Sequence, residues 1–462
     1  MLRIAVGSLH KHTMTFWTYQ NLAAVTKGRW LAQPERLGDG LGDVVAGLWH
    51  DTRDIKPGQA YLAIKGETFD GHAFIGKAFA AGASLAIVSD PASLKPQASG
   101  PMLCVDDTIK ALQDLARAYR DTLAAGGCKV IGIAGSNGKT TTRHLIHHVL
   151  THAGLKGIQS PKSFNNHLGV PLTLLSAKPK DDFVAAEIGT NHPGEIDFLS
   201  AIARPDIAVI TSIGEEHLEF FHDLDGVADE ELTILNHLAG ERIVITGDLG
   251  KYQPRVAHAD AGKFLDAARS SYNPPAAMPV RGKHNRINAQ IASAVAACLG
   301  VTTRACDAAL LTAQPESHRG VLITLSQGVR IYDDCYNANP SSMRAAIDTV
   351  LAMDRGPGRM LAILGDMFEL GEHSPELHEK VARYASERVP CVLIGEMFSQ
   401  IDLDSDSLLA SHRWSDDLPD KLAAMIGPGD TVLIKGSRGM RLERLIPAIE
   451  HRFGRYDDEK PT

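Results

Sequence analysis

The stretch AGSNGKTTTRHL, residues 134 to 145, has the composition of a phosphate-binding loop, with glycines at 135 and 138, a lysine at 139 and hydroxyls after it. Backbone N–H groups of Gly135, Ser136, Asn137, Gly138, Thr140 and Thr141 would cradle phosphate oxygens at a helix N-terminus. Lys139 would neutralise them, and the Thr140 hydroxyl would hold Mg²⁺. The spacing is the short GxxGKT, because Ile133 stands where the longer motif has its first glycine. Glu187 ends the run FVAAE and His217 follows IAVITSI. Both fall at the carboxyl ends of strand patterns, the edge at which open α/β sheets gather ligands, although a single histidine has a plainer structural reading. His217 lies in GEEHLEFFHDLDGVADEEL, residues 214 to 232, which packs eight carboxylates into nineteen positions. If residues 226 to 238 form a helix, Val227, Glu231, Ile234 and Leu238 share one stripe while Asp229 and Glu230 point outward. Glu231 then faces inward, where a carboxylate needs a cation. Glu187, His217 and Glu231 together could hold one near the phosphates, and the rest of the run reads as solvated surface.

The elements that must position these residues are legible as alternation. KVIGIAG, FVAAEIG, IAVITSI and RIVITG are apolar runs with helical patterns between most of them, which predicts a mostly parallel sheet covered on both faces. A second alternation begins near residue 320, with VRIYDD, MLAILGD, CVLIGE and TVLIKG. That predicts a smaller, Rossmann-like, doubly wound domain. Before residue 126 short strand-like runs such as AYLAIKG and SLAIVSD lead to a helical run from Ile109 to Leu123. AAGG, 124 to 127, reads as a linker. The expected organisation is α/β in three domains, 1–126, 127–316 and 317–462, consistent with about three domains for a chain of 462 residues.

Composition excludes several classes. With 47 basic and 55 acidic residues the net charge is −8, which speaks against nucleic acid as partner. No apolar run reaches the length of a membrane span, so no stable membrane insertion is expected. Six cysteines scattered singly suggest buried thiols in a reducing cytoplasm. The first thirteen residues read as a disordered leader, or Met14 as the true start. A monomer is expected.

Further polar sets sit at element ends. KHNRINAQIASAVAA, 283 to 297, places His284, Asn285 and Asn288 at the start of a small-residue helix, as caps or as ligands. DDCYNANPSSM (333–343), LGDMFELGEHS (364–374) and KGSRGM (435–440) each follow a strand pattern. Each alone could be a turn and an N-cap; three such loops in one domain point to a second substrate site.

Together these motifs resemble the Mur ligase family, over nearly the whole chain from about Phe16 to Ile449. DTRDIKPGQAYLAIKGETFDGHAF resembles its N-terminal uridine-nucleotide region, and GSNGKTT its short ATP loop. NNHLGVPLTLL, EIGTNHPGEI and HLEFF resemble its central motifs. DDCYNANP and GDMFELG resemble the branch that adds D-alanyl-D-alanine to a UDP-N-acetylmuramoyl-tripeptide. The resemblance implies an ATP- and Mg²⁺-dependent ligase in cell-wall precursor synthesis. ATP would phosphorylate the tripeptide carboxylate, and the dipeptide amine would displace phosphate. It implies that Thr140 and Glu187 position the ion, that His217 serves a second metal, and that Lys139 is catalytic. His284, Asn285 and Asn288 match the adenine side, and Arg319 and Asp334 the residues that reach ATP from the C-terminal domain. Asp51, Thr52, Arg53, Lys65, Asp70 and His72 match the uridine-nucleotide region. Asn165 and Asn166 match a central substrate motif, and Asn337, Asn339, Lys435 and Arg438 would face the dipeptide.

The chain departs from the family in three places. Fourteen residues after the metal-site histidine the family has a lysine that CO₂ carbamylates into a ligand of the second metal; here that position is Glu231. Ser212 and Glu216 replace Asn and Ala, and residues 247 to 281 lack the strand alternation expected there. Glu231 would supply directly the charge that the lysine acquires by modification. Two other readings stand beside this one: a ligase of the same type with a different acceptor amine, and a nucleotide-binding homologue with impaired catalysis.

Overall fold

The computed structural model describes residues 16–34, 44–66, 68–93, 100–257, 262–354, 356–403 and 407–455. The leader expected over residues 1–13, with Met14 as the alternative start, lies outside the described residues. By internal packing the described residues divide into two units, those within Met1–Cys128 and His167–Lys180, and those within Lys129–Asn166 and Asp181–Thr462.

The first unit is built on five strands, β1 (Arg29–Ala32), β2 (Leu48–Trp49), β3 (Ala60–Leu62), β4 (Leu85–Val88) and β5 (Met102–Cys104). They lie in the order β1-β5-β4-β3-β2, parallel except for the edge strand β1. The helix Thr108–Ala125 is capped by Asp107, whose side chain accepts from the N–H groups of Ile109 and Lys110. Its buried stripe includes Leu112, Leu115, Tyr119 and Leu123. NNHLGVPLTLL divides between the two units after Asn166, and its helix Gly169–Ser176, in the first unit, buries every residue but Ser176. So apolar a helix must find a partner, and its end is tied to the first unit by the Tyr119 hydroxyl, 2.7 Å from the Ala177 carbonyl oxygen.

The second unit holds two six-stranded sheets. One comprises β6 (Lys129–Ala134), β7 (Gly157–Gln159), β8 (Phe183–Glu187), β9 (Ile207–Ser212), β10 (Ile243–Asp248) and β11 (Lys263–Asp266). All are parallel, in the order β11-β10-β9-β6-β8-β7. Ile131, Ile133, Val209 and Ile245 meet Leu145, Val149, Ile291 and Val295 from two helices, Lys139–His152 and Lys283–Cys298, in one core. The order in which strands are added reverses about β6, with β7 and β8 on one side of it and β9 to β11 on the other, so the loop after β6 stands at the switch point. The strand β11 corrects the expectation for residues 247 to 281: it is short and half-exposed, so its composition gave little alternation to read.

The other sheet comprises β12 (Val321–Thr324), β13 (Arg330–Asp333), β14 (Met360–Gly365), β15 (Cys391–Ile394), β16 (Leu408–His412) and β17 (Thr431–Lys435). The order is β12-β13-β17-β14-β15-β16, with β12 antiparallel and the rest parallel. No helix among the described residues is long and apolar enough to cross a membrane.

Candidate active site

The loop after β6 begins at Gly135, with φ +115°, where a Cβ would lie 2.7 Å from the Thr211 backbone nitrogen. Gly138, with φ +85°, precedes the helix Lys139–His152, and a Cβ there would meet Asn288 Oδ1 at 2.8 Å. Both positions therefore demand glycine, one because β9 is too close and the other because Asn288 packs on the turn. Asn288 donates to Asn285 Oδ1 (2.9 Å), and Asn285 to the Arg281 carbonyl (2.6 Å), so this pair supports the loop from below. His284 is exposed beside them. The first-turn N–H groups of Lys139, Thr140 and Thr141 have no acceptor within the helix and remain for an anion.

Lys139 Nζ donates to the Gly135 carbonyl (2.5 Å) and stands 3.6 Å from Glu216 Oε2. Burial pulls its pKa down, but the carboxylates of Glu216, Glu231 and Glu187 outweigh that and hold it above the ordinary lysine value. Glu231, 1% exposed, accepts from the Gly135 N–H at 2.6 Å. Burial pushes both Glu216 and Glu231 above the ordinary carboxyl range, Glu216 well above it, against the pull of Lys139. Glu187 Oε1 accepts from Thr140 Oγ1 and from Asn165 Nδ2, each at 3.2 Å. Its Oε2 is buried with no hydrogen-bond partner, as is Oε1 of Glu216 and of Glu231.

These orphaned oxygens are the test of fit for divalent cations. A buried carboxylate oxygen without a donor is costly unless a cation completes it. Thr140 with Glu187 offers two hard oxygen ligands beside the helix N-terminus, and Glu231 with Glu216 offers more beside Lys139, a donor set suited to Mg²⁺. The single site expected from Glu187, His217 and Glu231 is not formed. Among the described residues the ligand atoms of those three do not come within 4.8 Å of one another. His217 turns to the other sheet, its Nδ1 2.6 Å from Glu369 Oε2. This pairing is the first cause of a Glu369 pKa below the ordinary carboxyl value.

The acidic run differs from its expected geometry. The helix is Leu224–Leu232, followed by a 3₁₀ turn Thr233–His237, where one continuous helix to 238 was expected. Asp229 is exposed and pairs with Arg255. Glu230 does not point outward: it is 5% exposed and accepts from the N–H groups of Gly194 (2.7 Å) and Ile196 (2.8 Å). It thereby serves the N-terminus of the helix Glu195–Ala203, whose own N-cap residue is a glycine without a side chain. The lower end of the run, Leu218, His222, Asp223 and Asp225, lines a cavity of about 310 Å³ with Lys251, His373 and Glu376; no residue assigned to ATP or metal lines it.

The C-terminal sheet reaches the loop directly. Asn137 Nδ2 donates to Ser341 Oγ (3.0 Å), and Asn339 Nδ2 donates to Asn137 Oδ1 (2.9 Å). Asn339 is also the N-cap of the helix Pro340–Ala352 in a full capping box, so its expected place facing the dipeptide gives way to this structural bridge. Arg344 pairs with Glu215 at 2.8 Å. Lys435, 3% exposed, donates to Asp334 Oδ2 (2.7 Å) and the Asn337 carbonyl (2.9 Å), so the lysine expected to face the dipeptide is paired with the aspartate expected to reach ATP. Arg319 lies 4.0 Å over the Tyr336 ring, with Arg438 on the same ring at 5.9 Å; Arg438 is bound to Glu443 and Asn337 is exposed.

Arg143 was not among the expected residues. It is 1% exposed, donates to the carbonyls of Ser160 and Lys162 (2.6 Å to the latter), pairs with Glu316, and stands 4.0 Å from Glu187 Oε2. The signal was present, since Arg143, Ile146 and Leu150 share a helical stripe, just as Glu231 shares one with Val227 and Ile234.

In the first unit Asp51 is bound to Arg53 (2.5 Å), and Asp70 caps a 3₁₀ turn while accepting from His72 Nδ1 at 2.6 Å. His72 Nε2 accepts from the Ser89 N–H at 3.0 Å, so both ring nitrogens of this buried imidazole are spent on the fold. Lys65 meets Asp70 through an isolated antiparallel backbone bridge, Thr52 is half-buried, and Asn166 of the second unit is exposed. Phe69, 57% exposed and stacked on Phe74 at 4.9 Å, is an aromatic face that the sequence reading passed over.

A phosphate-type loop at the switch point of a parallel sheet, ringed by carboxylates and reached by a second α/β sheet, defines a nucleotide-dependent enzyme. The chain belongs to the Mur ligase family: residues 44–120 match the Mur ligase family catalytic domain, 133–276 the Mur ligase middle domain and 318–438 the Mur ligase glutamate ligase domain. It is 33% identical over 459 residues to the UDP-N-acetylmuramoyl-tripeptide–D-alanyl-D-alanine ligase of Bacillus subtilis, covering 93% of this chain and 97% of that protein. The Escherichia coli enzyme of the same name is 30% identical, covering 87% and 92%. Among solved structures, MurF from Acinetobacter baumannii superposes with a TM-score of 0.80 at 28% identity, covering 94% of this chain and 99% of that one. The MurF ligase of Thermotoga maritima in complex with ADP gives 0.74 at 26% identity, covering 88% and 97%.

Proposed function

We propose that the chain is an ADP-forming, ATP-dependent ligase that joins D-alanyl-D-alanine to UDP-N-acetylmuramoyl-tripeptide. The observation that carries this reading is Lys139, held among three buried carboxylates at a glycine-bounded helix N-terminus. The tripeptide's terminal carboxylate attacks the γ-phosphorus of ATP, the bond to the bridging oxygen breaks, and ADP leaves. The amine of the dipeptide then attacks the acyl phosphate carbon, loses a proton, and phosphate departs. Lys139 exchanges the Gly135 carbonyl for phosphate oxygens, and the N–H groups of the first helical turn take others. Bound Mg²⁺ supplies charge neutralisation of the transferring phosphoryl group. Thr140 and Glu187 would hold one ion, and Glu231 with Glu216 a second, His217 being released from Glu369 to join them. Arg319 on its Tyr336 platform faces the nucleotide, while Asn337 and Arg438 remain for the dipeptide.

Residues 1–126 serve the UDP precursor, where Asp51, Lys65 and the face of Phe69 are available; 127–316 bind ATP and 317–462 the acceptor. The enzyme works as a cytoplasmic monomer. Mass detection of the product, with phosphate release that needs both the UDP-tripeptide and D-alanyl-D-alanine, tests the reading. Turnover only with another amine would transfer it to the ligase of different acceptor.

A further inference from the structure

Behind the C-terminal loops lies a group of side chains that the reaction above does not use. His318 Nδ1 is 2.7 Å from Asp333 Oδ2, Cys335 Sγ is 2.8 Å from Asp333 Oδ1, and Sγ and Nδ1 are 3.9 Å apart. Among the described residues this is the one place where three metal-binding side chains bring ligand atoms within 4.8 Å of one another. We propose that His318, Asp333 and Cys335 form a binding site for a thiophilic divalent ion of the Zn²⁺ type, separate from the Mg²⁺ of the reaction.

The fold builds the site from two adjoining segments. Asp333 ends β13, opposite Val321 of β12, and Cys335 follows two residues on. The His318 carbonyl accepts from the Tyr336 N–H at 3.1 Å, and the Gly320 N–H donates to the Asp333 carbonyl at 2.9 Å, so both segments are fixed before any ion arrives. Cys335 and Asp333 are 0% and 3% exposed, while the His318 side chain is 30% exposed and leaves one side open. Ordinary Zn–S, Zn–N and Zn–O bonds in a tetrahedron put sulfur and nitrogen about 3.6 Å apart, nitrogen and oxygen about 3.3 Å, and sulfur and oxygen about 3.5 Å. The observed Sγ–Nδ1 separation exceeds its tetrahedral value by about 0.3 Å, and because Nδ1 and Sγ face different oxygens of Asp333, the carboxylate would turn to present one oxygen, or span the ion with both.

The charges and protons balance. Without metal the thiol and the imidazole N–H both donate to the same carboxylate, which is how the buried thiol and carboxylate are satisfied. With metal, the thiol proton is released to solvent, the imidazole proton moves to the outer Nε2, and carboxylate plus thiolate neutralise a divalent charge. Burial, then the neighbouring Asp333 carboxylate, hold the free Cys335 thiol far above the ordinary range, so it is no nucleophile or redox centre by itself. A thiolate and an imidazole select Zn²⁺ over Mg²⁺. The next residues along, Arg319 and Asp334, are those assigned to the nucleotide; an ion here would stiffen the segments that carry them without touching either.

Titration of the metal-stripped full chain with Co²⁺ is the test. A thiolate-to-cobalt charge-transfer band that saturates at one equivalent, is displaced by Zn²⁺ and is absent in Cys335→Ser is the expected result. Serine keeps the hydrogen bond to Asp333, so that variant should melt within a few degrees of the parent. His318→Gly, which suits the φ of +60° at that position, should weaken binding at least tenfold. No thiolate band in the parent chain, or a band that persists in Cys335→Ser, would overturn the proposal.

Discussion

Replacing Glu231 by glutamine separates charge from shape at the centre of the proposed site. The amide keeps the volume and can still accept from the Gly135 N–H, now 2.6 Å from Glu231 Oε2, but as a neutral bond. A hydrogen bond to a charged group is worth about 1.5–3 kcal/mol and a neutral one about 0.5–1.5, so the loop alone loses about 1–1.5 kcal/mol. If Glu231 only steadied the loop, the rate would fall by roughly 5- to 13-fold at about 1.4 kcal/mol per decade. If it also holds a cation, loss of the ligand adds to this, and the Mg²⁺ requirement should rise by about 10- to 100-fold, the usual effect of a lost metal-site partner. A carboxylate beside phosphates with no cation between them would be repulsive, so its removal would speed the reaction. The assay is ADP release against Mg²⁺ concentration, in ordinary and in CO₂-depleted buffer, with Mn²⁺ binding followed independently by spin resonance. The expected result is CO₂-independent turnover in the parent chain, with weaker Mn²⁺ binding and slower turnover in Glu231→Gln. Unchanged Mn²⁺ affinity, with turnover reduced by no more than the loop effect, would refute the metal role and leave Glu231 a loop brace. Asp229→Asn, on the exposed face, is the control and should be silent in both measurements.

Three further outcomes follow from the same geometry. Glu230→Gln should retain activity but lose about 1.5–3 kcal/mol of stability, because an amide has one acceptor oxygen and so leaves one of two backbone N–H groups at a helix N-terminus without its partner, as read by denaturant melts. Glu216, whose folded pKa is raised by burial above its ordinary 4.5, contributes stability below that value that is lost as pH rises through the folded pKa. Glu216→Gln should therefore melt higher than the parent at neutral pH and show no such gain below pH 4.5, where a parallel decline would contradict the assignment. Arg143→Ala strands Glu316 and two carbonyls in the interior and should cost about 3–5 kcal/mol, measured by chemical unfolding.

Much of the fold was legible because both sheets of the second unit are mostly parallel and covered, so strands such as Lys129–Ala134 and Phe183–Glu187 read as apolar runs with a charge only at one end. The phosphate loop was legible from type and spacing alone. Glu231 was found because it interrupts an apolar stripe, and Arg143 could have been found the same way. Glu230 was misread because its burial is tertiary: the outer face of one helix covers the bare N-terminus of another, which no periodicity shows. Likewise the sequence assigned Lys435 and Asn339 to the acceptor and Asp334 to ATP but could not show that Lys435 pairs with Asp334 and that Asn339 bonds to the loop before any substrate. The strands Gly157–Gln159 and Lys263–Asp266 escaped because short, half-exposed edges carry little pattern.

The central claim, that Lys139 performs phosphoryl transfer while the UDP precursor is held elsewhere, is tested most directly by Lys139→Ala. Turnover with ATP, UDP-tripeptide and D-alanyl-D-alanine should vanish, while calorimetric binding of the UDP precursor alone stays within about twofold of the parent, under 0.5 kcal/mol. Turnover that survives the substitution, or precursor binding that falls together with it, would contradict the account.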